Sequence, residues 1–215
     1  MVETKKRRAT AIFAHGFEGR PQGRKAQYLE AQLGYRVVAP SMHRFGWSLT
    51  GHIRAVVTAL DENPEARLIV GSSMGGLAVT GALKQRSDRQ IDVILMAPAF
   101  GIHRVWAQRI GPEGMGYWAA SGHLSYLHGG VGETIELPYA FFTECRDAAS
   151  LSIEQPCVVI HGRHDEIVPF EESEKLRARS PSIRQLLASN DDHRLGSSLA
   201  LMDRALSILG SSPAH

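Results

Sequence analysis

Gly71-Ser72-Ser73-Met74-Gly75-Gly76 is the stretch that decides how this chain is read. The apolar run Leu68-Ile69-Val70 leads into it, and small and apolar residues that spell a buried helix leave it, so Ser73 falls where a strand turns sharply into a helix. A turn that tight strains the backbone of Ser73, which is tolerable only because Gly71 and Gly75 have no side chain to collide. The strain lifts the hydroxyl clear of the sheet. It also sets the Met74 N–H at a helix start, aimed at any oxyanion forming beside that hydroxyl. The register makes Ser73 the candidate nucleophile and Ser72 a bystander. A five-residue match alone reads equally well as plain turn geometry, so its surroundings have to decide.

Outward from the turn, short β-branched runs alternate with helical patterns, as parallel strands joined by crossover helices do. Strands are expected at Thr10 to Ala14, Arg36 to Ala39, Arg67 to Val70, Ile91 to Ala97, Cys157 to His161 and Ile183 to Leu187. Helices are expected at Arg24 to Leu33, Ser48 to Leu60, Met74 to Gln85, Tyr139 to Ala149, Glu171 to Arg179 and Leu195 to Leu209. In the helix leaving Ser73, Ala78, Gly81 and Ala82 offer small faces for close packing on the sheet. The pattern loosens from Pro98 to Gln155. Seven glycines between Gly111 and Gly132, mixed with aromatics, do not spell a regular amphipathic helix. His123 to His128 and Glu133 to Leu137 pair as a hairpin across Gly129-Gly130. The insertion reads either as a long connection or as a small cap over a pocket; the cap is preferred, because long connections in compact domains tend to be functional.

A serine hydroxyl needs a base within hydrogen-bond reach and a carboxylate to hold that base in the right tautomer. Loops that follow parallel strands collect at one sheet edge, and Ser73, Asp165 and His193 each fall in such a loop. Of ten histidines, His193 is chosen because it lies just after the last strand and just before the last helix. His15 ends the first strand and is placed to brace the loop His15-Gly16-Phe17-Glu18-Gly19, whose Phe17 N–H is the candidate second oxyanion donor. His161 and His164 flank Asp165 without an assigned role. Asp191 and Asp192 are too close in sequence to face the His193 ring, Asp147 lies in a helical stretch, and Glu166 is the nearest rival to Asp165.

These stretches together, the His-Gly-Phe loop (15 to 17), Gly-Ser-Ser-Met-Gly-Gly (71 to 76), His-Gly-Arg-His-Asp-Glu-Ile-Val-Pro (161 to 169) and Asp-Asp-His-Arg-Leu (191 to 195), resemble the α/β-hydrolase superfamily across the chain. The compact length, the His-Gly-Phe-Glu-Gly opening and the Asp-Asp-His-Arg-Leu ending are similar to the small bacterial esterases of the YqiA/YcfP type and to acyl-protein thioesterase-like hydrolases. The resemblance implies an α/β fold with a mostly parallel central sheet and helices on both faces. It further implies catalytic Ser73, Asp165 and His193, and oxyanion donors at Phe17 and Met74. A first strand at residue 10 leaves no room for the two N-terminal antiparallel strands of larger members, so the sheet is expected to have about six strands. The expected organisation is one domain over residues 1–215 with an insertion at 101–138.

The implied activity is hydrolysis of a carboxylic ester or thioester through an acyl-enzyme, with no cofactor and no metal. Because His193 acts when neutral, activity is expected to fall as pH drops through roughly the histidine range near 6.5. The alternative is a silent hydrolase fold kept as a binding or interaction module. Haloperoxidase, lyase and dehalogenase chemistries share the superfamily, and a serine rather than an aspartate at the turn disfavours the last. The expected partner is a small-molecule acyl ester or thioester. Arg20, Arg24, Lys25, Arg44 and Arg104 read either as a rim suited to an anionic substrate or as solvated surface.

Composition sets the remaining bounds. A chain of 215 residues suits one domain with a full core. A net charge of +2 gives no reason to expect nucleic acid or a membrane surface as partner. The run Lys5-Lys6-Arg7-Arg8 reads as a solvated arm. No apolar stretch has the length of a membrane span or of a secretory core, so a cytoplasmic protein is expected. Cys145 and Cys157 fit a reducing compartment and lack metal-ligand spacing, with Cys157 as core filler.

Overall fold

The computed structural model describes residues 8–211; the basic run Lys5 to Arg8, apart from Arg8, lies outside them. Eight strands and seven α-helices follow one another among the described residues. They are β1 (Thr10–Ala14), α1 (Arg24–Ala31), β2 (Arg36–Val38), α2 (Leu49–Glu62), β3 (Leu68–Ser72), α3 (Met74–Gln85), β4 (Asp92–Met96), α4 (Ile102–Ser121), β5 (His123–His128), β6 (Glu133–Pro138), α5 (Tyr139–Asp147), β7 (Cys157–Gly162), α6 (Glu171–Arg179), β8 (Ile183–Ser189) and α7 (Leu201–Leu209). Six strands form one sheet in the order β2-β1-β3-β4-β7-β8, and every pairing in it is parallel. Residues of β1, β3 and β7 are buried throughout, as strands covered on both faces must be. One face carries α1 and α7, with Leu29, Met202 and Leu206 in its core. The other carries α2, α3 and α6, with Val56, Leu77 and Leu176 in its core.

The chain runs from β1 out to the edge strand β2, then crosses back to lay β3 on the other side of β1. The loops after β1 and β3 therefore diverge at the switch point of the sheet, where open α/β sheets bind their ligands. Helix α3 is buried over Met74–Leu83, and its glycines are contact points rather than hinges. A Cβ on Gly75 would lie 2.1 Å from the Ala14 carbonyl oxygen, so α3 starts in direct backbone contact with the end of β1. Gly81 faces a different neighbour from the one its small size suggested: a Cβ there would meet Ile53 Cδ1 at 2.5 Å, so it admits α2 rather than the sheet.

Two elements differ from the sequence reading. Residues Ile102–Ser121 are helical, but the helix breaks at Gly111 (φ 76°, ψ 167°) just before Pro112. Ile102, Val105, Trp106 and Ile110 face inward before the break and Met115 and Trp118 after it. The break resets the phase, so no single 3.6-residue period runs through the segment, which is why it read as irregular. The last helix begins at Leu201 instead of Leu195, because Leu195 takes φ 54° and the hydroxyls of Ser197 and Ser198 both donate to the Asp191 carboxylate. Those bonds give the backbone a turn in place of a helix. The β5–β6 hairpin forms as expected, its loop closed by Gly132 N–H donating to the His128 carbonyl at 2.8 Å. No helix among the described residues is long and apolar enough to cross a membrane.

Candidate active site

Ser73 sits between β3 and α3 with φ 54° and ψ −120°, a conformation that costs a non-glycine residue on the order of 1–3 kcal/mol. The neighbouring strand holds it there. The Ser73 N–H donates to the Met96 carbonyl at 2.9 Å, and the Ser73 carbonyl accepts from the N–H groups of Gly76 at 2.9 Å and Ala99 at 3.0 Å. The crossing of Gly71 and Gly76 is as close as the turn demands, since a Cβ on Gly71 would lie 2.7 Å from Gly76 Cα.

His193 arrives from the loop after β8. Its Nε2 lies 2.9 Å from Ser73 Oγ and its Nδ1 lies 2.7 Å from Asp165 Oδ2, so one ring bridges the hydroxyl and the carboxylate. Asp191 and Asp192 shape this loop without touching the ring. Asp192 Oδ1 accepts from the Arg194 N–H and Asp191 Oδ2 from Ser197, while Lys25 Nζ donates to the Arg194 carbonyl at 2.7 Å from the start of α1. Gly162 lets the loop close over β7, as a Cβ there would stand 2.2 Å from the Asp191 carbonyl oxygen.

Asp165 is completely buried at its side chain. Its Oδ1 accepts from the N–H groups of Ile167 at 2.9 Å and Val168 at 2.7 Å, and its Oδ2 from His193 and from His161 Nε2 at 3.0 Å. Burial pushes its pKa up, but donation from His161, His193 and Val168 outweighs that and holds the carboxyl well below the usual carboxylate range. His161 had no assigned role from sequence. Its Nδ1 meets Ser173 Oγ at 2.6 Å and its Nε2 is shared with the Val168 carbonyl at 3.0 Å, so the second histidine on the acid is itself fixed on both nitrogens. The available signal was its place at the end of a buried strand, where an imidazole has to be hydrogen-bonded. Glu166, the rival acid, is exposed.

The loop after β1 faces the serine: a Cβ on Gly16 would come within 3.1 Å of Ser73 Cβ. Met74 opens α3, so its N–H has no intrahelical acceptor. Phe17 and Met74 line one cavity of about 450 Å³ with Ser73 and His193. Its apolar wall comes from Ile102, Trp106, Ile110, Leu124, Tyr126 and Phe141, most of them from α4 and β5. Phe17 lies edge-on to Trp106 at 6.0 Å and packs on Phe141 at 5.0 Å, while Trp106 stacks on Tyr126 at 5.7 Å. Of the five basic residues considered for the rim, Lys25 lines the cavity, where Arg109 and Arg194 join it. The others are engaged elsewhere: Arg20 on the Gly130 carbonyl, Arg24 on the Gly196 carbonyl, Arg44 over the Phe45 ring and Arg104 with Glu172. Both cysteines are buried and free, and burial raises their thiol pKa values.

Comparison with known proteins agrees with this architecture. The model of the family described as "Uncharacterised protein family (UPF0227)" matches residues 10–209. The mitochondrial palmitoyl-protein thioesterase ABHD10 of Rattus norvegicus is 26% identical, over 86% of this chain and 68% of the relative. Among solved structures, mouse α/β hydrolase domain-containing protein 10 superposes with a TM-score of 0.74 at 22% identity, over 96% of this chain and 90% of the other. Est1E from Butyrivibrio proteoclasticus superposes with a TM-score of 0.72 at 19% identity, over 96% and 88% of the two chains. The six-stranded parallel sheet flanked by helices is the α/β hydrolase fold.

Proposed function

We propose that this chain, which belongs to the UPF0227 family, is a serine hydrolase that cleaves carboxylic ester or thioester bonds through an acyl-enzyme. The observation that carries the reading is the His193 ring, bonded to Ser73 Oγ at 2.9 Å on one side and to buried Asp165 at 2.7 Å on the other, in a cavity with one apolar wall. Bonded through Nδ1–H to the carboxylate, His193 keeps Nε2 free to accept the serine proton. Ser73 Oγ then attacks the acyl carbon, the N–H groups of Phe17 and Met74 take up the negative charge, and Asp165 stabilises the imidazolium. The bond to the alcohol or thiol breaks as the leaving atom takes its proton from His193. Water, deprotonated by the same nitrogen, then releases the acid and restores Ser73.

The whole chain is read as a single hydrolase domain whose 101–138 insertion caps the pocket. Trp106, Ile110, Leu124 and Tyr126 give that cap an inner surface suited to an apolar acyl group. A palmitoyl thioester, the substrate named for the rat relative, falls within that class.

A fluorophosphonate probe is expected to label Ser73 alone, and hydrolysis of p-nitrophenyl butyrate, a longer p-nitrophenyl ester and an acyl thioester is expected to vanish in Ser73→Ala. Labelling or turnover that survives the substitution overturns the mechanism. Absence of turnover by the unaltered chain on all three substrates favours the binding-module reading.

A further inference from the structure

We propose that His128, at the tip of the β5–β6 hairpin, is a positioning residue that holds the oxyanion-binding loop in register with Ser73. This rests on the reading of Phe17 as an oxyanion donor. His128 is fully buried, and its Nε2 lies 2.8 Å from the Phe17 carbonyl oxygen. The Val131 N–H points at its Nδ1 at 3.2 Å. A backbone N–H only donates, so Nδ1 has to accept, and the ring proton is on Nε2 and donated to Phe17.

A second histidine does the same one peptide earlier. His15 Nε2 accepts from the Met42 N–H at 3.3 Å, which leaves Nδ1–H to donate to the Gly16 carbonyl at 2.8 Å. Burial lowers the His15 pKa and so keeps that ring neutral. The Gly16 carbonyl and the Phe17 N–H belong to one peptide plane. The next plane carries the Phe17 carbonyl held by His128. Two neutral histidines, one from the sheet and one from the insertion, thus fix the planes on both sides of the Phe17 Cα.

Within the loop one backbone bond, Gly19 N–H to the Gly16 carbonyl at 2.9 Å, closes the turn, and the two histidines anchor it from outside, His128 being the side chain that holds the Phe17 carbonyl. The hairpin tip is clamped in turn. Tyr126 Oη donates to Glu18 at 2.6 Å and Arg20 Nε to the Gly130 carbonyl at 2.8 Å, and a Cβ on Gly130 would stand 2.7 Å from the Glu18 carbonyl oxygen. The insertion is therefore a wall that shapes the oxyanion site, as well as a cover for the acyl pocket.

The test uses the full chain and p-nitrophenyl butyrate. His128→Phe keeps a ring against Phe17 and Trp47 but removes the donor, and His128→Gln places an amide N–H within reach of the same carbonyl. Displacing an oxyanion donor by about an ångström costs about 10- to 100-fold. The expected result is that fall in kcat for His128→Phe with KM within about threefold of the unaltered chain, and recovery of most of it in His128→Gln. If His128→Phe does not fold, as its melting temperature will report, Arg20→Met decides: it frees the hairpin tip and is expected to lower kcat several-fold at constant KM. A kcat within threefold of the unaltered chain in the folded variants, or a loss that His128→Gln does not repair, overturns the proposal. Activity remaining in Ser73→Ala would instead count against the serine hydrolase reading itself.

Discussion

Asp165→Asn is the most informative single change, because the surroundings dictate which end of the new amide goes where. Oδ1 faces two backbone N–H groups, Ile167 at 2.9 Å and Val168 at 2.7 Å, and neither can become an acceptor. The amide oxygen therefore stays there and the NH2 takes the place of Oδ2, facing His193 Nδ1 and His161 Nε2. His193 then has to accept on Nδ1 and carry its proton on Nε2, pointing at Ser73 Oγ, where it has no lone pair for the serine proton. His161 is driven the same way and leaves the Val168 carbonyl without its donor. A wrong-tautomer base lowers kcat by about 10⁴-fold, which is about 5 kcal/mol of transition-state stabilisation, while the pocket and hence KM change little. Steady-state hydrolysis of p-nitrophenyl butyrate, with circular dichroism to verify the fold, measures this, and Glu166→Gln serves as the control with unchanged kcat. A folded Asp165→Asn retaining activity within about tenfold would mean that Asp165 does not set the His193 tautomer.

Two further substitutions probe the frame. His52 is buried with neither ring nitrogen hydrogen-bonded among the described residues, and burial, reinforced by His15, His43 and His128, lowers its pKa to about 3. The unfolded chain takes up a proton near pH 6.5 that the native state refuses, so stability is full above that pH and falls as pH drops toward 3. At pH 5 the loss is about 2 kcal/mol. Urea unfolding at pH 7.5 and pH 5.0 should show the unaltered chain losing that much more than His52→Leu, and equal losses would contradict a neutral buried imidazole. Gly75→Ala places a methyl group 2.1 Å from the Ala14 carbonyl oxygen and 2.7 Å from that of His15. Forcing α3 off β1 should destabilise the fold by about 2–3 kcal/mol and lower kcat at least 100-fold; a stable variant with unaltered kcat would mean that the contact is not as close as described.

The central strands were legible because burial on both faces leaves continuous apolar runs, and Cys157–Gly162 or Leu68–Ser72 need no periodicity to be recognised. The segment from Ile102 to Ser121 was not. A helix that changes phase at Gly111 presents two short stripes, and neither is long enough to outweigh the glycines around it. The start of α7 was missed for a different reason. Leu195 and Leu199 keep helical spacing with Met202 and Leu206, but Leu195 is buried from a left-handed turn whose cause, the Asp191 carboxylate, lies on the preceding loop. Spacing reports which residues are buried and does not report which backbone carries them there.

The same limit explains the site. Ser73, Asp165 and His193 could be named from sequence because each ends a strand on one sheet edge, and the structure brings the three into hydrogen-bonded contact. What a sequence does not display is the number of donors a buried charge requires. Asp165 has no exposed side-chain surface and two acceptor oxygens with four lone-pair sites. The Ile167 and Val168 N–H groups satisfy one oxygen, and His193 alone would leave the other half-satisfied in a place that water does not reach. An ionised carboxylate so placed would gain a proton rather than stay charged. His161 supplies the missing donor, and Ser173 with the Val168 carbonyl holds it in place. The second histidine on the acid is thus a consequence of burying the charge. The same accounting of donors applies to the loop after β1, where the Gly16 carbonyl accepts from Gly19 N–H and from His15 and the Phe17 carbonyl accepts from His128. His15 could be named as a brace from its place at the end of β1, whereas His128, 111 residues from Phe17 in the chain, could be found only from the fold.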